Sequence, residues 1–421
     1  MQTKEGLKKA KLTRQQTRDR RKSQFCRVYQ VKIDKSSLSK SKLDYLSRLF
    51  LEAKWWYNYV LGQHNIFETD CKVKKIKVMN KDKQFEEKDL IYLTSTTKKD
   101  LKLRIITSIK SLYTRKKKHK KVGKLKFKSF LRCIPGRFYI KNLYVMKIEC
   151  CKELFRVNGL KQILKDSEIS NISLTRRHGD FYFNITTWQM RKQSELTGNS
   201  IGIDFGIKDT LSFSNGVKVN VDIKESKRIK KLQQKSSRQE KKSKNRFKTK
   251  ILLEKAYDER NNKKKNVCNK IVGYLNSNFD HICVQNDCIS GWQKLYGRKI
   301  NSSIVGRTLS KLKQLPKTII VDRFFPSTKL CPICYSKNLM LLSERTYKCN
   351  NCFFEEDRDV KSAKIIEIEA LKNKIPISYG DFKLVENKTS TQMYDYFNQQ
   401  LSKYCSVKQE ERKIEVQTAD L

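Results

Sequence analysis

A chain of 421 residues is long enough for two or three domains and for a core that needs no disulfide staples. It holds no run of roughly eighteen apolar residues to span a membrane, and its first residues lack the apolar stretch of a secretory signal. Its 93 Lys and Arg against 43 Asp and Glu leave a formal charge of +50, which points to a polyanion and first to nucleic acid. A coat for anionic lipid would need one localised basic face with an amphipathic anchor, whereas these basic residues run nearly end to end.

Residues 1–24 are basic and nearly free of large apolar groups, and read as a flexible basic arm. Phe25 to Ile33 alternates as a strand does. Ser36 to Ser39 then offer N-caps for an amphipathic helix in which Leu43, Leu46, Leu49, Phe50, Ala53, Trp56 and Tyr57 recur at three and four. The Trp55-Trp56-Tyr57 cluster fits a helix packed in a core better than a base-stacking surface. Residues 65–115 are polar and Lys-rich, with a second helical row at Leu101, Ile105, Ile106, Ile109, Leu112 and Tyr113. The run from Arg115 to Ser129 follows. Lys116, Lys117, Lys118, Lys120 and Lys121 within it are candidate phosphate contacts, since a solvated loop alone does not explain the whole-chain excess. Strands are expected at Phe138–Ile140, Leu143–Ile148 and Phe181–Trp188, and a domain boundary in the turn-rich stretch Arg191 to Ser200.

Beyond that boundary the pattern changes. Residues 200–216 read strand, turn, strand, and residues 223–270 read as two long helices, basic outside. Lys227, Arg228, Lys231, Arg238, Lys241, Lys242 and Arg246 are the candidate nucleic-acid contacts there. Strands His281–Gln285 and Lys317–Asp322, with a helix between, make this an α/β domain. The last fifty residues are polar, mixed in charge, and suggest no element.

Two constellations carry chemistry. Cys331-Pro-Ile-Cys334 and Cys349-Asn-Asn-Cys352 are C-x-x-C knuckles at ribbon spacing, which places four thiolates around one structural Zn²⁺ with no open coordination position. The other nine cysteines show no ligand spacing and read as reduced thiols inside a cell. The second constellation is acidic. Asp204 ends an apolar strand between glycines, Asp287 follows the strand at 281–285, and Asp359 precedes the helical stretch from Ser362. Singly each reads as a cap or turn; together they are what hydrolysis of a phosphodiester on two Mg²⁺ requires. His178 and His281 read as incidental to it.

These residues carry a resemblance. Gly202 to Gly216 (GIDFGIKDTLSFSNG), His281 to Trp292, Arg323 to Cys334, and Tyr347 to Ile366 are similar to the TnpB family, the transposon-encoded OrfB proteins related to miniature type V CRISPR effectors. The likeness is tight over residues 200–370 and looser from residue 25, through the strand at Val28, the WWYNYVL helix and GKLKFKS. It implies an α/β fold: a RuvC or RNase-H-like nuclease domain at 200–327 and 353–375, with a zinc ribbon at 328–352. It also implies an N-terminal β-barrel wedge domain at 25–35 and 122–190, a helical recognition insertion at 36–121, and a polar C-terminal tail at 376–421.

The implied activity is Mg²⁺-dependent, RNA-guided DNA cleavage beside a short target-adjacent motif. The implied partners are a guide RNA, target DNA and a companion transposase of the same element, in a prokaryotic cytoplasm. Asp204 and Asp359 match the first and last catalytic carboxylates. The middle position departs: many relatives have Glu-Asp-Leu where this chain reads Gln285-Asn286-Asp287. Asp287 is expected to substitute, because residues 285 and 287 share a strand face. The usual Asn-Ala-Ala after the last carboxylate appears as Lys361-Ser362-Ala363. A miniature type V CRISPR effector, or an RNA-guided repressor whose nuclease has decayed, fits the same residues.

Overall fold

A computed structural model describes residues 4–80, 84–190, 198–341, 343–372 and 386–409, which cluster into two compact units, 1–192 and 193–421. The expected boundary stretch lies largely outside the described residues, since 191–197 are not among them. Among the described residues no helix is long and apolar enough to cross a membrane.

The first unit opens with helix α1 (Lys4–Lys22) where the sequence suggested a flexible arm. Its Lys, Arg, Gln, Ala and Leu content favours a helix despite the charge. Its end is tied down: Arg20 pairs with Glu168 at 2.9 Å and the Arg21 guanidinium stacks on Trp188. The strands are β1 (Gln24–Ile33), β2 (Lys75–Met79), β3 (Phe85–Asp89), β4 (Cys133–Pro135), β5 (Phe138–Asn142), β6 (Val145–Ile148), β7 (Leu154–Asn158), β8 (Glu168–Arg177) and β9 (Asp180–Met190). Seven form one antiparallel sheet ordered β4-β8-β9-β1-β7-β6-β5, while β2 and β3 pair as a separate hairpin. Gly136 and Arg137 alone separate the two edge strands β4 and β5, so the sheet must curl until its edges approach.

Helix α2 (Lys40–Gly62) is capped by the Ser39 hydroxyl, which accepts from the Lys42 N–H. It buries Leu46, Leu49, Phe50, Ala53, Trp56 and Val60 in the same core as the sheet. Trp56 is fully buried and its Nε1–H donates to the Lys98 carbonyl on helix α3 (Ser95–Lys117), so it serves the core and is closed to a base.

The second unit holds β10 (Ser200–Phe205), β11 (Leu211–Phe213), β12 (Val217–Val221), β13 (His281–Gln285) and β14 (Thr318–Val321). Its helices are α4 (Lys227–Arg238), α5 (Lys244–Asn278), α6 (Ile289–Ser302), α7 (Val305–Leu312), α8 (Arg358–Leu371) and α9 (Glu386–Leu401), and β15 (Thr346–Lys348), β16 (Glu355–Asp357) and β17 (Cys405–Gln409) complete it. The main sheet is ordered β14-β13-β10-β11-β12-β17. β10, β13 and β14 run parallel, and β11, β12 and β17 continue antiparallel from β10. The mixed α/β character read from the sequence is present. The C-terminal region read as a polar tail is folded over its described part: α9 places Met393, Phe397 and Leu401 in the core, and β17 extends the sheet.

Candidate functional site

The four ribbon sulfurs lie within 4.8 Å of one another, with Cys331–Cys352 and Cys334–Cys349 pairs at 3.5 Å. A tetrahedral zinc with bonds of about 2.3 Å separates its sulfurs by about 3.8 Å, so this donor set fits the ion. The two knuckles repeat one backbone shape. Cys331 O accepts from Tyr335 N–H at 3.1 Å and Cys349 O from Phe353 N–H at 3.0 Å, and both residues are left-handed (φ +59° and +54°). Tyr335 uses that pose to donate to Glu369 on α8, whereas Phe353 points its ring into solvent at 86% exposure.

The carboxylates depend on how α8 lies against β10. On β10, Ile201, Ile203 and Phe205 face one core; Ser200, Gly202 and Asp204 face the other way, toward α8. On α8, Asp359, Ala363 and Glu367 recur every four residues. Four helical residues advance about 6.0 Å and two strand residues about 6.6 Å, so the two rows stay in step. Glu367 accepts from Ser200 Oγ and from Gly202 N–H, the latter at 3.1 Å. A Cβ on Gly202 would stand 2.0 Å from the Ala363 carbonyl oxygen, so only glycine admits this approach. Asp359 then comes level with Asp204.

Burial, the Asp359 carboxylate and the Asp287 carboxylate, in that order, push Asp204 well above the ordinary Asp range, against the pull of Arg358 and Lys361. Burial raises Asp287 to about 6, opposed by Lys313 and Arg323. Asp359 is held by the Arg358 Nε at 3.3 Å and Arg345 at 3.8 Å, and its N–H donates to the helix cap Asp357 at 2.9 Å. Lys218, buried on β12, fixes that cap through a 2.7 Å ion pair. Among the described residues the ribbon sulfurs are the one set of ligand atoms drawn together within 4.8 Å, so the three aspartates are in electrostatic range without forming a single-ion cluster. Asp204 feels both other carboxylates.

Contrary to expectation, Asp287 shares no strand face with Gln285. β13 ends at Gln285, and the Asp287 N–H turns back onto the Gln285 carbonyl at 3.0 Å, so alternation has stopped. Gln285 points elsewhere: its amide nitrogen donates to the carbonyls of Asp322, Arg323 and Phe325, and its oxygen accepts from Ser327 Oγ. Beside Asp287 lies an open cavity of about 470 Å³ lined by Ser290, Gln293, Ser310, Lys313 and Arg323.

Lys116, Lys117, Lys118, Lys120 and Lys121 are exposed at and beyond the end of α3, where positive charge also suits the helix C-terminus. Lys227, Arg228, Lys231, Arg238, Lys241 and Lys242 are exposed on α4 and the turn after it. Arg246 differs: it is half-buried and closes that turn on the Gln239 carbonyl at 2.6 Å. Sequence reasoning passed over Gly202, Lys218, Asp357 and Glu367. The eight-residue spacing of Asp359 and Glu367 on an amphipathic helix was the available signal for the last.

Residues 310–366 match the family model described as Cas12f1-like, TNB domain, a span that holds all four ribbon cysteines and Asp359. The resemblance to the TnpB and miniature Cas12f-like family stands. Among solved structures, the chain is similar to one titled a Cas12f1-sgRNA-target DNA complex, at 15% identity and TM-score 0.39 over 65% of this chain and 71% of that one. A CRISPR-Cas12f ternary complex matches at 15% identity and TM-score 0.26, over 78% and 82%. No curated protein matches.

Proposed function

We propose that this chain is an RNA-guided DNA endonuclease of a transposable element, with Asp204, Asp287 and Asp359 as ligands of two Mg²⁺ ions. The close α8–β10 approach, which brings Asp359 level with the buried Asp204 while Asp287 also raises its proton affinity, carries the reading. Repulsion of this kind at Asp204 has no structural benefit in a metal-free protein, and hard divalent cations relieve it. The bound ions would supply an activated water and charge for the leaving oxygen. Three carboxylates that hold two ions need not all touch one another. Arg358 and Arg345 hold Asp359 in place, and Lys313 and Arg323 offer phosphate contacts beside the cavity.

The sheet order, three parallel strands continued by an antiparallel hairpin and packed on α8, supports a RuvC or RNase-H-like reading of 200–327 and 353–375. We read the ribbon at 328–352 as a structural zinc site, the curled sheet as the wedge and 36–121 as the recognition insertion. The exposed Lys and Arg of 116–121 and 227–242 serve guide RNA and target DNA. A companion transposase belongs to the same reading.

The Cas12f1-like match favours a second reading, a miniature CRISPR effector of the same chemistry, which a repeat array beside the gene would mark. The test is to purify the protein from its native locus, sequence the RNA that accompanies it, and assay cleavage of guide-matched DNA with Mg²⁺ and with EDTA. Guided cleavage lost in Asp204→Ala, with RNA retained, is expected. Protein that holds no RNA would overturn the guided reading, and guided binding without cleavage under any divalent metal would indicate a decayed repressor.

A further inference from the structure

Lys361 lies on α8 where the resembling family carries Asn, and its side chain is fully buried. Its ammonium donates to the carbonyls of Ser327 at 2.9 Å, Thr328 at 2.8 Å and Leu330 at 3.2 Å, and sits 4.1 Å from the centre of the Tyr347 ring. Among the described residues no carboxylate reaches it at ion-pair distance. Carbonyl dipoles and a ring face hold the ammonium directly, an arrangement that suits an ammonium, while the Asp204 and Glu356 carboxylates act on it from beyond ion-pair distance. Burying such a charge is costly, so a simple packing role would be better served by Leu or Met.

The same segment is gripped from its other end by Gln285, through the carbonyls of Asp322, Arg323 and Phe325 and the hydroxyl of Ser327. Six carbonyls between 322 and 330 thus converge on two side chains. Gln285 precedes Asp287 by two residues and Lys361 follows Asp359 by two. The segment runs on directly into Cys331 of the ribbon. We propose that Lys361 is a positioning residue, a tethered internal cation that with Gln285 clamps segment 322–330 and so sets the spacing of Asp287 and Asp359 about Asp204. This inference rests on the reading of those aspartates as a divalent-metal site.

The test uses Mn²⁺ as the probe, bound to the full chain and followed by calorimetry, beside guided cleavage. Lys361→Met keeps the length and removes every donor. It should bind Mn²⁺ at least tenfold more weakly and lower kcat at least tenfold, with the KM for target DNA and a zinc content of about one per chain unchanged. Gln285→Leu, at the opposite clamp, should weaken Mn²⁺ in the same direction. Lys361→Ala should recover Mn²⁺ affinity in n-propylammonium, which can donate to the three carbonyls, and not in tetramethylammonium, which cannot. Lys361→Met that binds Mn²⁺ as wild type does, or equal recovery of Lys361→Ala by both cations, would overturn the positioning role. Should Lys361→Met fail to fold, the two-cation comparison on Lys361→Ala decides alone. A wild type that binds Mn²⁺ but never cleaves, with affinity lost in Lys361→Met, would refute the nuclease reading and leave the clamp intact.

Discussion

Gly202→Ala perturbs the candidate site without touching a titratable group. The added methyl would lie 2.0 Å from the Ala363 carbonyl oxygen and 2.9 Å from the Glu367 Cβ. Ordinary contact begins near 3.4 Å, so α8 and β10 must separate by about 1.4 Å. The obstacle is helix backbone, which has no rotamer to escape into, so the cost belongs at the upper end of overpacking, about 3 kcal/mol. For a unit of this size that corresponds to a fall in Tm of roughly 6–12 °C. The separation also moves Asp359 away from Asp204, and a displacement near 1 Å at reacting groups costs on the order of 10²-fold in rate. Thermal unfolding, Mn²⁺ calorimetry and guided cleavage should therefore report a lowered Tm, weakened metal binding and at least a hundredfold loss of rate, with the zinc content unchanged. A Gly202→Ala protein with the parent's Tm and cleavage rate would refute the proposed dependence of the carboxylate spacing on the α8–β10 approach.

Cys349→Ser should reduce bound zinc from about one per chain toward none in elemental analysis, because the closed set has no spare ligand. Asp287, raised to about 6, keeps a proton that the unfolded chain has already released between about pH 4 and 6. The metal-free protein should therefore lose stability as pH rises through that window, by up to about 3 kcal/mol from this group, and Asp287→Asn should flatten the slope in urea titrations. Mn²⁺ binding should show the opposite trend, weakening as pH falls below 6, since the ligand is the carboxylate. Phe353→Gly relieves a left-handed non-glycine residue whose exposed ring makes no core contact, and should stabilise the ribbon by about 1 kcal/mol, read as slower zinc release to a chelator.

The ribbon was legible because its information is local: two x-x spacings bring four thiols to within one ion's reach. The helix from Lys40 was equally legible, since a long apolar row and a serine cap agree. Asp204, Asp287 and Asp359 stand out in the sequence as acids at element ends and lie in electrostatic range, but a shared strand face does not place Asp287. A period of two holds only while a strand lasts, and the backbone turns back at Asp287, leaving Gln285 to a separate task. No pattern in the sequence reveals that task, because its partners lie some forty residues on and three of the four are carbonyls, which every residue carries.

The C-terminal region shows the same limit more sharply. Helix α9 carries Met393, Phe397 and Leu401 four residues apart, but so narrow a row among polar residues is no clear mark of a buried helix. β17 has only Cys405 and Val407, two residues apart. It takes its place because β12 offers N–H and C=O groups along an edge, where Val217 to Val221 pair with Gln409 to Cys405, and because Cys405 and Val407 pack half-buried against the core. A strand paired on one side only, with two half-buried side chains, need carry little mark in composition.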